Sequence, residues 1–541
     1  MYKFNTDLSL NRCLTVFCYG LAIFIALYSW SPLLDAKWGL VDDHEIITFV
    51  GMDERLPPSR FIDTLKSTEL NPNSTLTRFR PSYYVLRAIE AMVWGKTPSL
   101  WYGFRIAVAV IFSFSIAYVS LSFARSILSI GFLIFVLSAP YWADIFARAG
   151  PGELYAVLGI ALIFFSIGRL KHKTPVSLLQ ICGLVCGIII AAGSKENFLF
   201  LIVIPLFLLY ERQVKARSVS GLLLIISILY MLWIGLTIYF RLKSSTGLIY
   251  GLGESSAHMG ILSVLKLIGS FLLRPVVILW ISVSLVTWNF IRVVTRLDRF
   301  TRGSTHLNVT VNARSFIVVQ LGLLTIYASQ YLFYSGVWPY VSALGRYSFP
   351  GVLARDWALL AFLTTMVGLA QKHGYSRPSV IKLQAAASVA LIFFAMAPFI
   401  IFPNYVTNRQ TALSITADTN SFSKKYIAVV DFLRNNPDVP IIINSHSFND
   451  LEPIFSIATF LHFSSIKNKI AVNAQGLGLQ NYANQPNEFG LASAIHKLAS
   501  QGDDQRFVPL GAVDQNSCIS LGMSGPYLKS CSFGGVSVWP H

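Results

Sequence analysis

Four near-consecutive ionisable residues, Asp42, Asp43, His44 and Glu45, follow the first apolar stretch of a chain in which only 13% of residues are charged. A carboxylate placed there can take a proton from a hydroxyl or orient it. Asp42, Asp43 and His44 together could also ligate a divalent cation. The plain alternative is helix capping, with Asp42 or Asp43 opening a helix over 46–50. Three other segments carry related chemistry. Arg78-Phe79-Arg80-Pro81 offers guanidinium forks suited to phosphate, or simply to anionic lipid. In Gly193-Ser194-Lys195-Glu196-Asn197, Lys195 suits phosphate and Glu196 suits positioning, against the alternative of a salt bridge across a tight turn. In Gly345-Arg346-Tyr347-Ser348-Phe349-Pro350, Arg346 suits phosphate or sugar. Tyr347 can stack on a sugar ring or anchor at a membrane interface.

These residues must be positioned by very apolar elements. Of 541 residues 54% are hydrophobic, and the mean hydropathy is +0.58. A soluble chain would carry about a quarter charged residues. Apolar stretches run near 13–34, 101–123, 127–141, 154–168, 176–193, 197–210, 219–240, 270–292, 315–336, 349–370 and 383–403. The expected fold is a polytopic α-helical membrane protein of about 11 transmembrane helices, each near the roughly 20 residues that cross a bilayer. The first stretch has no clear small-residue cleavage site and reads as a retained helix.

The net charge of +17 reflects basic residues gathered in alternate loops, among them Lys3, Arg12, Arg125, Lys171, Arg212, Arg292, Arg299, Arg314 and Lys372. That is the pattern of cytoplasmic loops. No basic run with interleaved aromatics suggests nucleic acid. The N-terminus then lies inside, and the Asp42 loop and C-terminal region lie outside. The outer side also receives Asp144, Arg148, Glu153, Lys195, Glu196, Arg346 and Arg355. Short connections at 147–153, 193–197 and 345–350 hold these charges near the bundle, where ionisable groups usually line a cavity or pathway.

The long outer loop 35–100 is expected to contain an amphipathic helix over 81–95, with Tyr84, Ile89, Met92 and Val93 apolar and Trp94, Trp101 and Tyr102 at the interface. Residues 241–262, with Gly247, Gly251 and Gly253, read as a mobile outer loop. The stretch 262–275 reads as an interfacial helix. From 404 the composition turns polar. Helices over 424–435 and 450–463 alternate with strands over 439–444 and 469–473. The chain therefore divides into a transmembrane domain, 1–403, and a small α/β extracytoplasmic domain, 404–541. Of the six cysteines, Cys13, Cys18, Cys182 and Cys186 read as core thiols. Cys518 and Cys531 are the candidate disulfide, worth roughly 3 kcal/mol.

The order of these motifs resembles the GT-C superfamily of membrane glycosyltransferases. It is most similar to the tetratricopeptide-type transmembrane O-mannosyltransferases and their bacterial relatives. The likeness rests on Asp42-Asp43, on Arg80-Pro81 followed by Gly95 and Pro98, on Pro140 and Arg148, on Ser194-Lys195-Glu196, and on Arg346-Tyr347 with Pro350. It covers roughly 35–355 at motif level. The acid that precedes the Arg-Tyr pair in those enzymes is Gly345 here, and the repeats are missing. The C-terminal domain has no counterpart there.

The resemblance implies an inverting transfer from a polyprenyl-phosphate-linked sugar donor to a cell-envelope glycan or lipid acceptor. Asp42 or Asp43 would be the base. Arg80, Lys195 and Arg346 would bind the donor phosphate. Arg148, Glu153, Glu196 and Tyr347 would contact substrate, with His44, Glu45 and Arg78 in support. No cofactor is required, apart from a possible divalent cation. It places the enzyme in the inner membrane with its site on the outer face. Two other readings stand beside it. One is an O-antigen-type polymerase or ligase with a lipid-pyrophosphate donor, which usually has its large outer loop between late spans. The other is a lipid-linked-sugar transporter, which often shows two related halves.

Overall fold

The computed structural model describes residues 3–41, 43–71, 78–168, 176–211, 218–244, 261–302, 313–334, 345–372, 377–401, 406–444, 451–473, 506, 513, 517–524, 527–533 and 536–538. Among the described residues six helices are long and apolar enough to cross a membrane: Arg12–Asp35, Pro98–Phe123, Val219–Arg241, Pro275–Val294, Gly351–Gln371 and Pro378–Pro398. Five more apolar helices are shorter: Ser126–Leu137, Glu153–Ile167, Leu178–Ala192, Glu196–Tyr210 and Ala313–Ser329. Each of the eleven expected stretches thus meets an apolar helix; four fall short of the roughly 20 residues a crossing needs, whereas the helix that opens at Ala313 continues to Tyr334, 22 residues in all.

Burial separates these helices. Glu153–Ile167 is buried along most of its length. Val219–Arg241 instead exposes Leu222, Ile226, Leu229, Trp233, Leu236 and Phe240. Their three- and four-residue spacing makes one apolar stripe. A stripe of that kind suits lipid better than water.

The outer-loop helix forms as Pro81–Trp94, with Pro at its first position and Gly95 ending it at φ 54°. Its orientation was not foreseen. Ile89 and Val93 are exposed, whereas Tyr83, Arg87, Ala88, Glu90 and Ala91 face inward. Residues 262–275 include the helix Ile261–Leu272. Most of the expected mobile loop, 245–260, lies outside the described residues.

A 28-residue helix, Asn408–Asn435, follows the last apolar helix; only its second half was expected. A capping box opens it, with the Thr407 hydroxyl and Gln410 amide each accepting from the other's backbone N–H at 3.1 and 2.8 Å. Its polar first half is stitched to the bundle. Asn408 donates to the Leu137 and Ala139 carbonyls, Thr416 to that of Pro32 and Asn420 to that of Asp35.

Beyond it lies a mixed sheet of β1 (Ile441–Asn444), β2 (Ile470–Asn473), β3 (Ile519–Ser524), β4 (Tyr527–Phe533) and β5 (Val536–Ser537), in the order β2-β1-β3-β4-β5. The β1–β2 and β1–β3 pairs are parallel, whereas β3–β4 and β4–β5 are antiparallel. Ile441, Ile443, Ile470, Ile519 and Leu521 pack against Val429, Val430 and Leu433 and against Ile454, Ile457 and Leu461 of the helix Leu451–Phe463. The last three strands were not expected. The expected disulfide is not formed: Cys518 and Cys531 are both buried and are not joined to each other. Alternation along the strands explains it. Cys531 sits opposite Leu521 in the core against the helices, while Cys518 packs with Ile442, Ala471 and Val513.

The helix Asp43–Val50 joins the two regions. Ile46, Phe49 and Val50 belong to the core of the apolar helices. Leu40 and Ile47 belong to the core of the sheet and its helices.

Candidate functional site

Two basic residues from separate connections meet on one carboxylate. Lys195 lies in an extended conformation between the helix Leu178–Ala192 and the 3-10 segment Glu196–Ile202. Arg346 lies on the short 3-10 turn Gly345–Ser348. Glu153 is the first residue of its helix. Lys195 Nζ pairs with Glu153 Oε1, and Arg346 Nε stands 3.8 Å from the same oxygen. The Tyr347 ring centroid lies 4.4 Å from Lys195 Nζ and 5.4 Å from Arg346 Cζ, within cation–π range of both. Asn197 fixes the two connections by donating to the Phe349 carbonyl at 2.6 Å. Lys195 is only 7% exposed, and burial holds its pKa below the usual lysine value although Glu153 opposes this.

The turn carrying Arg346 depends on Gly345, whose φ is +55°. A Cβ at this position would lie 1.6 Å from Asp144 Oδ2. The carboxylate of Asp144 therefore fills the space beside residue 345, where the family resemblance calls for an acid in the sequence itself.

Arg78 and Glu196 form a looser pair at 3.7 Å. Arg80 makes a tighter pair of its own. Its Nε and Nη2 reach both oxygens of Glu69, at 3.1 and 2.7 Å, and Nη2 also donates to Tyr84 at 3.1 Å. It is held in a bidentate internal pair rather than turned toward a ligand. Burial raises the Glu69 pKa, but the Arg80 charge and hydrogen bonds outweigh it and keep the carboxyl below the usual range.

The inward face of the helix Pro81–Trp94 adds a cluster that the sequence reading did not single out. Arg87 donates to the carbonyls of Ala149 and Gly150 at 3.1 and 2.7 Å. Arg105, fully buried, donates from Nε to the Arg148 carbonyl at 2.6 Å. Two arginines thus grip three successive carbonyls of the connection that leads to Glu153, and the Arg148 side chain is left exposed. Glu90 pairs with Arg87 at 3.4 Å and accepts from Tyr155. Burial raises its pKa despite the arginines beside it. The signal in the sequence was the spacing of Tyr83, Arg87 and Glu90 on one helical face, with Arg105 inside an apolar run.

The acids complete the assembly. Asp42 lies outside the described residues. Asp43 is 2% exposed, and its Oδ2 accepts from the Gly39 N–H at 2.6 Å. It therefore anchors the incoming chain. Glu45 is exposed and lies 3.2 Å from the Tyr83 hydroxyl. His44 sits half-buried between them. Tyr83 joins this end to the cations. Its N–H donates to the Gly193 carbonyl at 3.1 Å. Its ring leaves room for only a glycine at 152, which is also tight against the Ser194 carbonyl. Among the described residues no group of three His, Cys, Asp or Glu side chains could hold a metal ion. The metal expectation rests on Asp42 and so falls partly outside them.

Comparison with family models, with curated proteins and with solved structures finds no match to this chain.

Proposed function

We propose that this chain is an integral-membrane inverting glycosyltransferase of the GT-C kind, using a polyprenyl-phosphate-linked sugar. The observation that carries the proposal is the convergence of Lys195 and Arg346 on Glu153 Oε1. Two cations sharing one carboxylate oxygen beside helices apolar enough for a membrane are a setting suited to a lipid-borne phosphate. The acid-bearing helix joins this centre through Tyr83.

In the proposed reaction an acceptor hydroxyl oxygen attacks the anomeric carbon. The bond from that carbon to the phosphate oxygen breaks, and its electron pair stays on the phosphate. The acceptor proton passes to a carboxylate, with Asp42 and Asp43 the assigned candidates and Glu45 beside them. Inversion needs no protein nucleophile. Lys195 and Arg346 stabilise the charge that develops on the leaving phosphate. Tyr347 and Arg148 border the sugar. In the proposed orientation, which the basic loops support, the N-terminus lies in the cytoplasm beneath an inner membrane and the site and the sheet domain lie on the outer face. The acceptor is a cell-envelope glycan or lipid.

The test is transfer of radiolabel from a panel of polyprenyl-phosphate sugars in membranes containing the purified chain. Labelled product that vanishes with Lys195→Ala supports the reading. Intact lipid-linked sugar crossing the membrane without transfer would instead identify a transporter.

A further inference from the structure

We propose that Glu153 is an exchangeable counter-ion, occupying the Lys195–Arg346 pair between turnovers and yielding it to the phosphate as the sugar leaves. The proposal rests on the phosphate reading above and specifies how the site tells donor from product. Both cations contact Oε1 of Glu153. A donor phosphodiester carries one negative charge. It shares the two cations with the Glu153 carboxylate. When the bond between anomeric carbon and oxygen breaks, the electron pair stays on the phosphate. The phosphate becomes a monoester of charge about −1.5 to −2 near neutral pH. The added charge strengthens its hold on the two cations, and the Glu153 carboxylate is the group displaced. The cation pair is thereby matched to the product-like charge of the transition state rather than to the donor.

Three features permit the exchange. Lys195 and Arg346 both stand on connections between helices, where side chains re-aim without unwinding a helix. Tyr347 lies against both cations and keeps them together when the carboxylate leaves. Glu153 stands in the first turn of its helix, where the positive end of the helix dipole favours the released carboxylate.

The experiment measures binding of two probes to the full chain in lipid nanodiscs: a polyprenyl phosphate and its methyl phosphodiester. Glu153→Gln is expected to bind the monoester on the order of tenfold tighter, with a smaller change for the diester. Lys195→Ala and Arg346→Gln should weaken both. If Glu153→Gln does not fold, Glu153→Asp, one methylene shorter, should shift binding in the same direction. Unchanged or weaker monoester binding in the folded Glu153 variant, with Lys195→Ala still weakening it, overturns the exchange and makes Glu153 a fixed structural partner. Wild-type binding of polyprenyl phosphate in both cation variants overturns the phosphate reading, and the exchange with it.

Discussion

The hydroxyl of Tyr83 lies 3.2 Å from the Glu45 carboxylate and 3.3 Å from the Gly150 carbonyl. Its single proton is shared between an acid on one helix and the backbone that leads to Glu153. Tyr83→Phe keeps the ring contacts and removes only this link. A hydrogen bond from a neutral hydroxyl to an exposed carboxylate contributes about 1.5 kcal/mol, so melting should fall only modestly. Transfer should fall by roughly tenfold or more, because small misplacements of reacting groups are costly. Transfer equal to wild type would show that Glu45 need not be held.

The acids should separate by their effects. Asp42→Asn is expected to abolish transfer with expression and melting unchanged. Asp43→Asn should also lose transfer, but with a stability cost of about 1 kcal/mol, since its charged hydrogen bond to the Gly39 N–H becomes a neutral one. Circular dichroism melting beside the radiolabel assay reads both. Normal transfer from each single variant and the double variant would remove the base from these positions.

Glu69 makes stability depend on pH in a stated direction. Its folded pKa is depressed by Arg80, so its contribution is fully present above the ordinary carboxylate pKa. It is lost as pH falls through the lower folded value. Glu69→Gln should therefore cost about 3 kcal/mol at neutral pH, as expected for a broken buried pair. The difference from wild type should shrink in strong acid. An equal difference at both extremes would show that shape, not charge, is what Glu69 supplies.

Gly345→Ala tests whether Asp144 fills the space beside residue 345. The substitution meets both a positive φ and the Asp144 carboxylate, and should cost about 2 kcal/mol or more. Adding Asp144→Ala removes the collision but not the backbone strain, so part of the loss should return. A double variant no more stable than Gly345→Ala alone would place the cost elsewhere.

The helices were legible because their apolar runs are long and their connections short. Their lengths were less legible: 127–141 reads as one run, yet its helix ends at Leu137, before Pro140. Lys195, Arg346, Glu153 and Tyr347 were all singled out, since charge at the end of an apolar run is conspicuous. Sequence gives chemistry but not partners. Nothing in Arg78-Phe79-Arg80 shows that Arg80 pairs with Glu69 eleven residues earlier. The clamp formed by Arg87 and Arg105 was hidden for a similar reason, because both grip backbone carbonyls, which leave no mark in a sequence. In the C-terminal region, Ile519–Ser524 went unread because its apolar residues alternate with Ser and Gly in a short strand that only its neighbours define.

The helix Asp43–Val50 has a consequence for biosynthesis. Its residues leave the ribosome early, yet the wall against Leu40 and Ile47 is built from residues as late as Ile519 and Leu521. That flank rests on the helix Leu451–Phe463, whose own core is completed only when those strands are made and folded. A nascent chain would already hold Lys195 and Arg346 before the core behind the acid-bearing helix was complete, so the proposed site would be finished late in synthesis.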